Sequence, residues 1–185
     1  MLTKKNDYIK ALSITAMCIA LCCVLPIPLP FELRNKLSPM HIPVLLCGLV
    51  CGWPYGLLCG ILGPVVSNLT TGMPPIAMLP RMIPELAMYG FACGLLMKII
   101  RTGKTAPDLV ISLVISMILG RIAGGVATVI VGGFPADKAV LTAFFTSYVA
   151  QGAVGIAVHL VLIPTLVLAL QKARLLPARY KKVKA

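Results

Sequence analysis

Residues 37–80 read LSPMHIPVLLCGLVCGWPYGLLCGILGPVVSNLTTGMPPIAMLP, 44 residues without a formal charge. As a single helix rising about 1.5 Å per residue the stretch would be roughly 66 Å long, about twice a hydrocarbon core of about 30 Å. It must therefore break and cross more than once. Gly52-Trp53-Pro54 supplies a turn with an aromatic suited to a membrane interface. Residues 67–75, with Asn68, Thr70, Thr71, Gly72, Pro74 and Pro75, read as a polar loop. Two short spans result, about 40–51 and 55–66, which must tilt, thin the bilayer or sit inside a bundle.

The same measure applied outward gives further spans at about 9–28, 82–100, 109–131 and 139–170, the last long enough to require tilt or a bend near Pro164. The expected fold class is an all-α membrane protein with six transmembrane helices in a compact bundle, residues 1–185 forming one integral domain. Composition agrees: 59% hydrophobic residues, 12% charged residues and a mean hydropathy of +0.97 do not describe a water-soluble core. Lys4, Lys5 and Lys10 precede an apolar run as in a signal peptide, but no small-residue cleavage site comes before Pro26, so the run is read as a retained span.

Seventeen basic residues against five acidic ones give a net charge of +12, and topology accounts for it. With the N-terminus inside, Lys4, Lys5, Lys10, Lys98, Arg101, Lys104, Lys172, Arg174, Arg179, Lys181, Lys182 and Lys184 fall in the cytoplasm, against Arg34, Lys36, Arg81 and Lys138 outside. Both termini are thus expected to be cytoplasmic. A five-span threading of opposite sense exports the basic N-terminus and buries Gly-Trp-Pro mid-span, and is the poorer reading.

Several chemistries are missing. Basic residues confined to segment ends do not form a nucleic-acid-binding face. Cys18, Cys22, Cys23, Cys47, Cys51, Cys59 and Cys93 lie in apolar runs without a CxxC pair, which points to small packing residues rather than a disulfide framework or a zinc site. Gly103-Lys104-Thr105 lacks the first glycine of a phosphate-binding loop, since position 98 is Lys98. No HExxH, GxSxG or carboxylate pair at metal-ligand spacing occurs, so no enzyme, metal or cofactor is expected.

Helices in lipid associate through close packing, which small residues four apart permit. Gly48, Gly52, Gly56 and Gly60 follow that step, as do Gly90 and Gly94, Gly120 and Gly124, and Ala16 and Ala20 in the first helix. The first reading is packing within the chain; the alanine strip has a second, docking on another membrane subunit.

Ionisable residues inside a span are costly and usually face protein or a water-filled cavity. Arg81 and Glu85 share one face near the outer end of the fourth helix, and Arg121 interrupts the fifth. They can form a structural set, Arg81 with Glu85 and Arg121 with carbonyls or Glu85. They can also line an outward-facing pocket with Met40, His41, Asn68, Thr70, Thr71 and Gln151. Two arginines against one glutamate leave a net positive site, suited to a ligand with a carboxylate or several hydroxyls. His41 reads as interfacial before it reads as a contact, and His159 as a packing or helix-to-helix hydrogen-bonding residue.

The segments Met40-His41-Ile42-Pro43-Val44-Leu45-Leu46, Gly52-Trp53-Pro54-Tyr55-Gly56, Gly63-Pro64, Thr71-Gly72-Met73-Pro74-Pro75 and Glu85-Leu86-Ala87-Met88-Tyr89-Gly90 resemble the substrate-binding S component of an energy-coupling factor (ECF) vitamin transporter. The resemblance runs the length of the chain and is strongest over residues 40–94. It implies capture of a vitamin or related micronutrient outside the cell, with energy from a membrane coupling subunit and two cytoplasmic ATPases, in a bacterial-type cell membrane. Ala16 and Ala20 match the family's docking strip. Few aromatics fall in the outer loops, which disfavours flavin or thiamin stacking, whereas Arg81 and Arg121 suit a carboxylate such as pantothenate or niacin. The alternatives are a self-sufficient homo-oligomeric secondary transporter or channel, and a membrane assembly factor without a ligand.

Overall fold

The computed structural model describes residues 5–30, 37–132 and 138–172, the side chains of 5–7 and 138–154 excepted. Among these, six α-helices follow one another without a strand: α1 Lys5–Val24, α2 His41–Cys51, α3 Trp53–Thr71, α4 Leu79–Ile99, α5 Thr105–Gly132 and α6 Lys138–Lys172. A single 3-10 turn, Ile76–Met78, leads into α4. The basic residues Lys4, Arg34, Lys36, Arg174, Arg179, Lys181, Lys182 and Lys184 lie outside what is described, as do the side chains of Lys5, Lys138 and Gln151.

The breaks follow from backbone chemistry. Gly52 adopts φ 97° and ψ 175°, a conformation closed to residues with a Cβ, and it separates α2 from α3 while Pro54 opens the new helix. The expected first span is shorter than predicted, ending at Val24, because Pro26, Pro28 and Pro30 cannot continue an α-helical ladder.

The expected polar loop is also shorter. Residues 67–71 belong to α3, which stops only at the left-handed Gly72 (φ 69°). Thr70 and Thr71 remain helical because their hydroxyls donate back to the carbonyls of Val66 (2.8 Å) and Ser67 (2.7 Å) within the same helix. The following turn is tied down by Ser67 Oγ donating to the Met73 carbonyl (2.7 Å) and Asn68 Nδ2 donating to that of Pro74 (2.6 Å).

Helix α4 is the centre of the packing. It touches α2 and α3 on one side and α5 on the other, while α1 lies against α2 and α3, and α6 against α5 and α2. Backbone meets backbone where the glycines fall: a Cβ at Gly56 would collide with the Gly90 carbonyl, one at Gly60 with that of Leu86, and one at Gly94 with the backbone of Trp53. Trp53 then packs edge-on against Phe91, ring centroids 5.6 Å apart. Dispersion gained at such close approach is what holds helices together where lipid removes the hydrophobic drive.

The core contains Val44, Leu45, Leu86, Tyr89, Leu109, Leu113, Met117 and Ile163 together with the thiols of Cys18, Cys22, Cys47, Cys59 and Cys93. Thiols of Cys22, Cys47 and Cys51 lie against the carbonyls of Met40, Tyr55 and Ala11, so they fill space between α1, α2 and α3 as weak donors. The outside is equally apolar: Val110, Ile118, Ile122, Val126 and Ile130 along α5, and Tyr8, Leu12, Met17 and Val24 along α1, are exposed. A water-soluble helix carries polar residues on that face; these helices carry aliphatic ones, which only lipid solvates without cost. Three stretches, Ile76–Ile99, Thr105–Gly132 and Gly155–Lys172, are long and apolar enough to cross a membrane, with shorter apolar helices at Tyr8–Val24 and His41–Cys51.

Candidate functional site

Helix α2 has 11 residues and so rises only about 16 Å, half of a hydrocarbon core of about 30 Å. Its first residue, His41, is buried and stands against groups of the longer helices. Ser38, three residues earlier, takes a left-handed φ of 44°, which turns the chain into α2. The Ser38 carbonyl then accepts from the His41 backbone N–H (3.0 Å) and lies 3.0 Å from the His41 ring Nδ1. A carbonyl only accepts, so Nδ1 carries a proton and the imidazole is fixed with Nε2 directed the other way.

Facing that nitrogen is Glu85, buried on α4. His41 Nε2 stands 3.6 Å from Glu85 Oε1, and Arg121 Nη1 reaches the same oxygen from α5 at 3.4 Å. Tyr89, one turn further along α4, donates its hydroxyl to it at 2.9 Å. Three elements thus converge on one carboxylate oxygen, and the negative charge is compensated by the guanidinium and a phenolic hydrogen bond. The cluster continues to α6, where the His159 ring stacks on His41 with centroids 5.7 Å apart and planes inclined by 16°. His41 also leans on Tyr89, centroids 4.9 Å apart.

Arg81 stands apart. It is half-buried in the first turn of α4, one turn before Glu85 on the same face, and among the described residues it forms no ion pair. The cation meeting Glu85 comes from α5, across a helix interface. Arg121 is thereby engaged with a carboxylate, and the positive excess expected of the site resides at Arg81.

The remaining expected residues separate into two groups. Met40 is buried directly ahead of His41, at the rim of the cluster. Asn68, Thr70 and Thr71 sit at the end of α3 with their side chains bonded to nearby backbone, and none of those bonds runs to Glu85. Ala16 and Ala20 are exposed on the face of α1 turned away from the bundle. Of the two roles expected for His159, the ring packs, stacked on His41, and among the described residues no side chain hydrogen-bonds to it.

Tyr89 and Ser38 were not among the expected site residues. For Tyr89 a signal existed, because residues 85 and 89 share a helix face. Ser38 carried none: its role depends on a backbone angle that serine seldom adopts.

No three His, Cys, Asp or Glu side chains among the described residues are placed to hold a metal ion. The arrangement offers hydrogen bonds and charge for binding. A family model described as "ECF transporter, substrate-specific component" matches residues 10–167. Neither the curated proteins nor the solved structures contain a significant match.

Proposed function

Because the chain belongs to the family of ECF transporter substrate-specific components, we propose that it is the subunit that captures a small, carboxylate-bearing, water-soluble micronutrient outside the cell at the Glu85 cluster. Components of this family are membrane proteins that bind substrate without catalysis and work with an ECF module of a transmembrane component and ATPases. In our reading all six helices traverse a bacterial cell membrane with both termini in the cytoplasm. A coupling subunit docks on α1 through Ala16 and Ala20, and two ATPases supply the energy.

The observation that carries the binding site is the buried carboxylate at the junction of α2, α4 and α5, with Arg81, which forms no ion pair among the described residues, one turn nearer the start of α4. Buried ionisable groups at mid-depth cost free energy, commonly about 3 kcal/mol each on insertion scales, and are retained where they face a ligand or a pathway. Arg81 offers a ligand carboxylate a fork of donors, and the cluster beneath supplies further polar groups. A pantothenate-like or niacin-like molecule carries the carboxylate that this reading calls for.

The glycine steps that also fit a homo-oligomer lose that support, since Gly48, Gly56, Gly60, Gly90 and Gly94 approach backbone of this same chain. Copurification tests the proposal. The tagged chain, coexpressed with an ECF module, retains the transmembrane component and ATPases, and its vitamin uptake stops when the ATPases are disabled. Uptake that persists without active ATPases refutes it. Thermal stability in detergent, followed across a vitamin panel, identifies the ligand, because stability rises with the logarithm of ligand excess over Kd.

A further inference from the structure

The turn between α3 and α4 carries its apolar groups outside and its polar groups inside. Residues 67–80, SNLTTGMPPIAMLP, contain no charge. Leu69 and Ile76 are 78% and 75% exposed, and Met73 is exposed between them. The hydroxyls of Ser67, Thr70 and Thr71 and the side-chain amide of Asn68 each donate to a backbone carbonyl between Val66 and Pro74. The backbone is closed in the same way. Gly72 N–H donates to the Asn68 carbonyl at 2.9 Å and Met73 N–H to the Thr71 hydroxyl at 3.3 Å, while Pro74 and Pro75 have no N–H to satisfy. Lipid offers no hydrogen bonds, so a turn that meets it must satisfy its own polar groups and can leave aliphatic side chains outside without cost. The connection between α4 and α5 has the opposite pattern, with Arg101, Thr102, Gly103 and Lys104 exposed, as suits water.

Position agrees with chemistry. Helix α3 starts at Trp53, an aromatic suited to a membrane interface, and its 19 residues rise about 28 Å, close to a hydrocarbon core of about 30 Å. The turn therefore comes at the opposite boundary, where acyl chains meet headgroups. Its apolar groups prolong the exposed stripe of α3 formed by Leu58, Ile61 and Leu62, so one lipid-facing surface runs unbroken from the helix into the turn. We infer that the α3–α4 turn is a lipid-binding surface, with Leu69, Met73 and Ile76 seated among phospholipid acyl chains just beneath the headgroups. It anchors this end of the bundle in the leaflet, and its polar side chains serve the turn itself rather than a ligand. The inference is independent of which ligand the Glu85 cluster takes.

The chain has a single tryptophan, so Trp53→Phe gives a background without indole onto which Ile76→Trp and Leu69→Trp are placed one at a time. The full chain is reconstituted in vesicles of phosphatidylcholine and phosphatidylglycerol, part of the phosphatidylcholine bearing bromine high on its acyl chains. Bromine quenches an indole that lipid touches, and acrylamide, neutral and water-soluble, one that water reaches. Lys104→Trp, in the exposed α4–α5 connection, is the water-facing reference and accounts for the indole's own affinity for interfaces. Brominated lipid is expected to remove about half or more of the emission at positions 69 and 76, well above the loss at 104, and acrylamide to reverse that order. Should Trp53→Phe not fold, 5-fluorotryptophan in a chain that keeps Trp53 gives two 19F resonances, and broadening by nitroxide-bearing lipid or by a soluble gadolinium chelate replaces the two quenchers.

Quenching by brominated lipid that is no greater for Ile76→Trp than for Lys104→Trp overturns the inference. So does acrylamide quenching as strong as at position 104, the mark of a turn in water. Shielding from both quenchers overturns it as well, since a second copy of the chain then covers the turn in place of lipid.

Discussion

The ring of Tyr89 on α4 occupies the space that Gly120 on α5 leaves by having no side chain, and from there its hydroxyl reaches Glu85 at 2.9 Å. Gly120 directly precedes Arg121, so the residue that admits the ring neighbours the one that supplies the cation. Close packing and site chemistry are thereby coupled at one crossing point.

Gly120→Val is expected to push the ring off its seat and break the phenolic hydrogen bond. Overpacking of this kind costs about 1–3 kcal/mol. Tm in detergent should fall by several degrees and ligand affinity should drop with it. Gly132→Val, at a position with open space around it, should leave both unchanged. Equal effects at the two glycines would disprove the coupling.

Arg121→Ala leaves the Glu85 carboxylate without its guanidinium. Removing one partner of a buried pair is costly, about 3–5 kcal/mol, whereas replacing both by neutral groups of similar size is far milder. The single variant should therefore lose more thermal stability than the Glu85→Gln, Arg121→Met double variant. Ligand binding should suffer in both, which separates the pair's structural contribution from its contribution to recognition.

Gly52→Ala places a Cβ on a backbone at φ 97° and ψ 175°, which only glycine adopts comfortably. The strain is on the order of 1–3 kcal/mol. Because Gly52 joins the short α2 to α3, the expected result is a lower Tm and a shifted α2, read as weaker ligand binding. Gly72→Ala, at an exposed αL position, costs about 1 kcal/mol and should spare binding.

Ala16→Trp with Ala20→Trp adds bulk to an exposed face of α1. Nothing in the bundle is displaced, so ligand affinity and Tm should stay at their original values. Uptake by the complete transporter should be lost, because the added indoles prevent the close approach that small residues permit. Normal uptake would move the docking surface off α1.

Much of the fold was legible because it depends on near neighbours. The run at 37–80 was too long for one crossing and too glycine-rich at Gly52 for one helix, and the chain turns there. Less legible was the end of α3, where Thr70 and Thr71 resemble loop residues by composition yet remain helical by bonding to carbonyls one turn back. The site was only partly readable. Arg81 and Glu85 share a helix face, which makes their pairing the natural expectation, but the rotation of α4 brings Glu85 against α5.

Hydropathy, helical period and the placement of glycine and proline are properties of a few consecutive residues, so the amino-acid string alone determined a lipid-solvated helical chain and where it turns. Which groups meet was decided only in three dimensions. Glu85 and Arg121 are 36 positions apart and His41 and His159 are 118 apart. Their encounter depends on the rotation and crossing of whole helices, set by glycine contacts such as Gly56 on Gly90. No local pattern encodes a rotation, because it results from all the contacts of a helix at once.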